Sequence, residues 1–227
     1  MTKKWHVKGY IVDELKLLID NLANLGILEL GEFKLKHHEG DPTAPKSPFK
    51  INLRTREYGG PLIPDAVEAI AEVMFHLIKG ERFQFDLVAG VPQAGEPFAE
   101  AISRLSGKPL LKLKKEVIDG KRRITGIAEG KFSLGQVVLL IDDVLSFGET
   151  KEEAILAIRK AGLIVSDLVI FLDREQGGKK EMERLDCRIH SAISLWFVIH
   201  RCLAKGRISR EKHDQIIAYI ESTRKTH

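Results

Sequence analysis

Apolar positions at the start of the chain recur with helical spacing. Over residues 12–28, Leu15, Leu17, Leu18, Leu22 and Leu25 fall on one broad face, which predicts an N-terminal helix. Residues 37–46 are polar and hold Gly40, Pro42 and Pro45, so an exposed loop is expected there, followed by a short strand over 49–53. Pro61 and Pro64 then precede a helix predicted over 65–78.

Beyond this point the pattern changes to apolar bursts separated by amphipathic stretches. The bursts at 85–89, 110–113, 137–141 and 168–172 predict central strands, and 94–105 and 149–160 predict the helices between them. This is the pattern of an α/β protein with a central, mostly parallel sheet flanked by helices, whose strand C-termini line one edge where ligands gather. Helices are also expected over 193–204 and 209–220, the latter capped by Ser209.

Composition narrows the class. A chain of 227 residues, 44% hydrophobic and 30% charged, suits a single globular domain with a sizeable core. The apolar runs are too short to cross a bilayer and the N-terminus lacks the apolar stretch of a secretion signal, so a cytoplasmic protein without membrane contact is expected. Cys187 and Cys202 lack metal-site spacing and read as reduced, buried thiols. A net charge of +4 without a basic stripe interleaved with aromatics gives no case for nucleic acid, whereas a site for a phosphorylated sugar also needs cations.

The strongest chemical signal is Val137-Val-Leu-Leu-Ile-Asp-Asp-Val-Leu-Ser-Phe-Gly-Glu-Thr150. An apolar strand ends in paired carboxylates, and a short turn leads to a helix. A strand feeding a helix through a tight turn aims backbone N–H groups at one point, where the helix dipole also favours an anion such as phosphate. Ser146 and Thr150 add hydroxyl donors, Gly148 allows close backbone approach, and ionised Asp142 and Asp143 are suited to neighbouring sugar hydroxyls. The plainer alternative is a pair of solvated acids at a strand end beside an ordinary helix cap. A second landmark, Leu172-Asp-Arg-Glu-Gln-Gly-Gly178, ends the next apolar strand on the same edge. Arg174 there is fitted to grip a carboxylate with parallel N–H bonds, unless it pairs with a neighbouring acid.

The first of these segments resembles the phosphoribosyl pyrophosphate motif of type I phosphoribosyltransferases, and the second resembles the Asp-Arg-Glu-Gln-Gly-Gly segment of orotate phosphoribosyltransferases. The resemblance implies that Asp142 and Asp143 contact the ribose hydroxyls. It also implies that Ser146, Phe147, Gly148, Glu149 and Thr150 surround the 5-phosphate, and that Arg174 faces the orotate carboxylate. Phe147 and Glu149 stand where the family has small residues; Glu149 pointing outward at a helix N-terminus would be harmless. Phe33-Lys-Leu-Lys36 resembles the segment whose lysine, here Lys36, lies near the base and pyrophosphate, and Ser47-Pro48 resembles the strand start that follows. Ala89-Gly-Val-Pro-Gln-Ala-Gly-Glu-Pro97 resembles the loop bordering the pyrophosphate, with Gly90 and Gly95 permitting close backbone contact.

Residues 114–123 read as a flexible, charged loop. In the family this loop closes over the active site, commonly that of the partner subunit. The resemblance leaves Lys114 and Lys115 as cations for the departing pyrophosphate. The next family lysine falls on Ile118 and the histidine after it on Gly120, so Lys121, Arg122 or Arg123 would have to substitute, or the chain binds without rapid turnover. The resemblance further implies one domain over 1–227, with an N-terminal helix and hood (1–60), a core (61–193) and C-terminal helices (194–227). It implies Mg2+ held mainly by substrate oxygens, orotate and phosphoribosyl pyrophosphate as substrates, and a homodimer with loop exchange. Two alternatives stay open: a transferase for another base, and a regulatory protein that binds phosphoribosyl pyrophosphate.

Overall fold

Of the N-terminal apolar stripe, Leu15, Leu18 and Leu22 form the buried face of α1 (Val12–Asn24) while Leu17 is exposed, and the helix stops short of residue 28 because Leu28 is taken into a strand instead. The computed structural model describes residues 12–34 and 43–224. A two-stranded antiparallel hood follows, β1 (Leu28–Phe33) against β2 (Ser47–Ile51), with Leu30 opposite Phe49. Next comes α2 (Pro64–Glu81), started by a proline in its first turn, where the missing N–H is of no consequence.

The remaining elements are β3 (Leu87–Gly90), α3 (Glu96–Ser106), β4 (Leu110–Ile118), β5 (Lys121–Glu129), β6 (Val137–Leu145), α4 (Glu149–Lys160), β7 (Ile164–Asp173), α5 (Gly178–Glu183), β8 (Arg188–Ser194), α6 (Leu195–Ala204) and α7 (Arg210–Thr223). Six strands form one sheet in the order β5-β4-β3-β6-β7-β8. All its neighbours run parallel except β4 and β5. The expected mostly parallel α/β sheet is therefore present.

The continuous apolar runs are explained by burial on both faces. Alternate residues of β6 diverge: Leu139 and Ile141 enter the cluster built with α2, α3, α6 and α7, while Val138 and Leu140 enter the cluster built with α4 through Ala154, Ile155 and Ile158. A fully buried side chain of this kind contributes about 1.5–3 kcal/mol relative to exposure, so the edge bearing the functional loops rests on a rigid base. Ser209 caps α7 as expected, its hydroxyl accepting from the Lys212 N–H at 3.2 Å.

Three departures from the expected elements matter. Residues 188–194, placed partly in a helix from the sequence, form the edge strand β8, and α6 starts only at Leu195. Residues 114–123, expected as a loop, form a paired β-hairpin. The strand begun at 137 runs on to Leu145, so Asp142 and Asp143 lie within it rather than after it. Both cysteines are free and buried, and burial pushes the Cys187 thiol up to about 11. Among the described residues no helix is long and apolar enough to cross a membrane.

Candidate active site

β6 carries the two acids to the sheet edge in unlike surroundings. Asp142 is 2% exposed, and its Oδ2 lies 2.6 Å from the Lys151 ammonium in the first turns of α4. Its Oδ1 accepts the Asp143 N–H at 2.9 Å. It is therefore not a solvated strand-end acid. Asp143 is half-buried; burial first, and then the neighbouring Asp142 charge, push its pKa up from 3.8 to about 7, against the pull of Lys151. Burial works to lower the Lys151 pKa, but the Asp142 and Asp143 charges and the Asp142 hydrogen bond overcome it and hold the ammonium above the usual lysine range. Sequence reasoning missed Lys151, because periodicity does not show a contact across a turn.

The turn after β6 needs glycine. Gly148 has φ +94° and caps α4, its carbonyl accepting from the Lys151 and Glu152 N–H groups at 2.9 and 3.0 Å. A side chain there would adopt a strained backbone and place its Cβ 2.8 Å from Met182 Cε. Ser146, Phe147 and Thr150 are half-buried around the turn, while Glu149 is exposed at the helix start, where its charge is tolerated. The loop after β7 packs directly on this turn. The Gly178 N–H donates to the Ser146 carbonyl at 3.0 Å, and the Arg174 N–H donates to the Leu145 carbonyl at 2.9 Å.

The β3–α3 loop closes the same edge from the other side. A Cβ on Gly95 would lie 2.5 Å from the Ile141 carbonyl oxygen and 3.0 Å from Asp142 Oδ1; one on Gly90 would lie 2.7 Å from Glu96 Cα. These glycines thus let the loop press on β6 and on its own helix. Lys115 donates to the Pro92 carbonyl of this loop at 3.1 Å.

Lys115 belongs to the β4–β5 hairpin, whose turn is Asp119-Gly120, both at positive φ (52° and 74°). Asp-Gly between paired strands is a strong hairpin signal, and it was present in the sequence. Lys114 pairs with Glu116 at 2.8 Å, and Arg123 with Glu153 of α4 at 2.5 Å. Ile118 stands directly across from Lys121, so their side chains share a face of the hairpin.

Arg174 is 5% exposed, and its Nε and Nη2 have no hydrogen-bond partner among the described residues. The nearby Asp173 is committed elsewhere, to Lys179 at 3.1 Å and to the Glu175 N–H at 2.8 Å. The Arg174 guanidinium lies over the Phe49 ring, 4.9 Å from its centroid, and burial lowers its pKa to about 10. It remains a cation at neutral pH. A buried charge without a counter-charge is costly, which marks a place for an anionic ligand. Ser47, fully buried at the start of β2, donates to the Phe49 carbonyl at 2.5 Å. Lys36 lies outside the described residues.

No protein-family model matches the chain. It is 31% identical over 209 residues to the orotate phosphoribosyltransferase of Pyrobaculum islandicum, covering 91% of this chain and 100% of that protein. The chain belongs to the orotate phosphoribosyltransferase family. It is also 30% identical over 205 residues to the uridine 5'-monophosphate synthase of Bos taurus, covering 90% of this chain but 40% of that longer protein. Among solved structures, Leishmania donovani UMP synthase superimposes with a TM-score of 0.77 at 28% identity, over 91% of this chain and 42% of that one. The chain thus spans about two fifths of these two relatives' length. For a member of the orotate phosphoribosyltransferase family, one sheet edge here gathers the paired acids, the glycine turn and Arg174.

Proposed function

We propose that the chain transfers the ribosyl 5-phosphate group from phosphoribosyl pyrophosphate to orotate, giving orotidine 5-monophosphate and pyrophosphate, a step of pyrimidine nucleotide synthesis. The observation that carries this reading is the buried Arg174 guanidinium, unpaired among the described residues, beside the phosphate-type turn after β6. An orotate carboxylate would satisfy it, and this favours orotate over a base lacking that group.

In the reaction a ring nitrogen of orotate bonds to the anomeric carbon as the bond from that carbon to pyrophosphate oxygen breaks, and the proton of that ring N–H leaves with the pyrophosphate. The α4 N-terminus with Ser146, Phe147, Gly148, Glu149 and Thr150 surrounds the 5-phosphate. Asp142 and Asp143 serve the ribose; Asp143 is the more open, while Asp142 orients Lys151. The Gly90 to Gly95 loop borders the pyrophosphate, and Lys36 is assigned near it. Holding both reactants in line supplies about 7–11 kcal/mol of the acceleration in well-oriented systems.

Lys114, Lys115 and Lys121 are assigned to the departing pyrophosphate. Lys121 is supported by its place across from Ile118, the position where a cation is otherwise missing. Mg2+ carried by the pyrophosphate oxygens would neutralise charge on the leaving group. Substrate oxygens suit it because Asp142 and Asp173 are already paired with Lys151 and Lys179. The unit acts as one domain, since α1, α6 and α7 share a core with the sheet. A two-fold homodimer with hairpin exchange is supported by Val117 and Ile118, 69% and 46% exposed near the hairpin tip. Buried free thiols fit a cytoplasmic setting.

The test is steady-state release of pyrophosphate dependent on both substrates and Mg2+. Arg174→Ala should raise the orotate KM by roughly 10- to 100-fold, the range of a lost charge-assisted contact, with the KM for phosphoribosyl pyrophosphate little changed. Equal loss for both substrates would sink the assignment to orotate.

A further inference from the structure

Buried polar atoms without partners are rare, and each needs a cause. Of the five such side-chain atoms among the described residues, four belong to Arg174, Gln176 and Tyr219. These residues come from the loop after β7 and from α7, and the two segments are joined. Gln176 Nε2 donates to Thr223 Oγ1 at 2.7 Å, the Thr223 hydroxyl donates to the Tyr219 carbonyl at 2.8 Å, and Arg224 Nε donates to the Glu175 carbonyl at 3.2 Å. Since Thr223 gives its proton to Tyr219, it accepts from the Gln176 amide NH2, which leaves the amide oxygen Oε1 without a partner among the described residues.

Phe49 joins the group. The Arg174 guanidinium covers its ring, and the Tyr219 ring stands edge-on to it at 6.2 Å and 87°. Arg174, Gln176 and Tyr219 are 5%, 0% and 7% exposed, so water is a poor partner for any of them. The Tyr219 phenol is near enough to Arg174 to oppose part of the effect of burial on its pKa. Each unpaired group is costly to bury. The set offers two cationic N–H donors, one amide acceptor and one hydroxyl. These are the group types that a planar ring bearing a carboxylate, an imide N–H and a ring carbonyl would pair with.

We propose that Tyr219 of the C-terminal helix, together with Gln176, completes the base subsite and helps to select the base, an inference that rests on the function proposed above. The Tyr219 hydroxyl serves a ring carbonyl and the Gln176 amide oxygen the imide N–H, while Arg174 holds the carboxylate. The experiment is Tyr219→Phe, which deletes one oxygen and keeps the ring against Phe49. The orotate KM should rise roughly three- to thirtyfold, the range for one hydrogen bond, with the KM for phosphoribosyl pyrophosphate within about twofold. The melting temperature of the ligand-free variant should equal or exceed the wild type's, because an unsatisfied hydroxyl has been removed. An unchanged orotate KM overturns the proposal. So does a joint rise in both KM values with a fall in melting temperature, which would make Tyr219 only a brace. Wild-type protein that releases no pyrophosphate with orotate overturns the proposed function too, and that outcome is told apart because it needs no variant.

Discussion

Asp143 holds its proton at a pH where an ordinary aspartate has released it. Burial raises its folded pKa from 3.8 to about 7, so between these values the folded chain binds a proton that the unfolded chain gives up. For this group stability is therefore greatest at the acid end and falls as pH rises through the window. Asp143→Asn should abolish that fall, and the melting temperature of the variant should gain on the wild type as pH increases from 4 to 8. Parallel curves would show that Asp143 ionises as freely as an exposed acid. At this scale Asp142, Asp143 and Arg174 were legible because each sits in a local run of characteristic residues. Lys151 and Tyr219 were not, because their partners are set by packing between segments: Asp142 lies across a turn from one, and Phe49 far along the chain from the other.

Among the elements, the β3–α3 loop and the β4–β5 hairpin behave differently under change. A Cβ on Gly95 would meet the Ile141 carbonyl oxygen at 2.5 Å. That neighbour is backbone of a central strand and cannot yield. Gly95→Ala should cost about 1–3 kcal/mol of stability, the range for overpacking, read as a lower denaturant midpoint, and should reduce turnover by displacing the loop next to Asp142. The hairpin has a freer tip, where Lys121 and Arg122 are exposed. Central strands were legible from their unbroken apolar runs, which burial on two faces demands. β8 was not, because it is an edge strand with mixed polar and apolar residues that spends Arg188 and His190 on Asp167 of β7, at 2.8 Å in each case; the other edge strand, β5, was marked only by the Asp119-Gly120 turn before it.

At the scale of the whole molecule, the proposed hairpin exchange in a dimer makes a separable prediction. A variant lacking the hairpin cations (Lys114, Lys115 and Lys121 to Ala) and a variant lacking the paired acids of β6 (Asp142 and Asp143 to Asn) should each be nearly inactive. Mixed and allowed to exchange subunits, they should recover up to about a quarter of the wild-type activity, since one site in each mixed dimer of a two-fold pair is intact. No recovery, with native mass spectrometry confirming mixed dimers, would mean that each hairpin serves its own site. By itself the amino-acid sequence determined the α/β class, the order of the central strands along the chain and the turn that suits a phosphate. These depend on period, apolar runs and local turn chemistry, all of which are properties of neighbours in the chain. Only the tertiary structure decided that Asp142 is buried against Lys151, that Arg123 of the hairpin is paired with Glu153 of α4, and that α7 reaches the side of Arg174. Those outcomes depend on which distant segments exclude water from one another, and no local pattern carries that information.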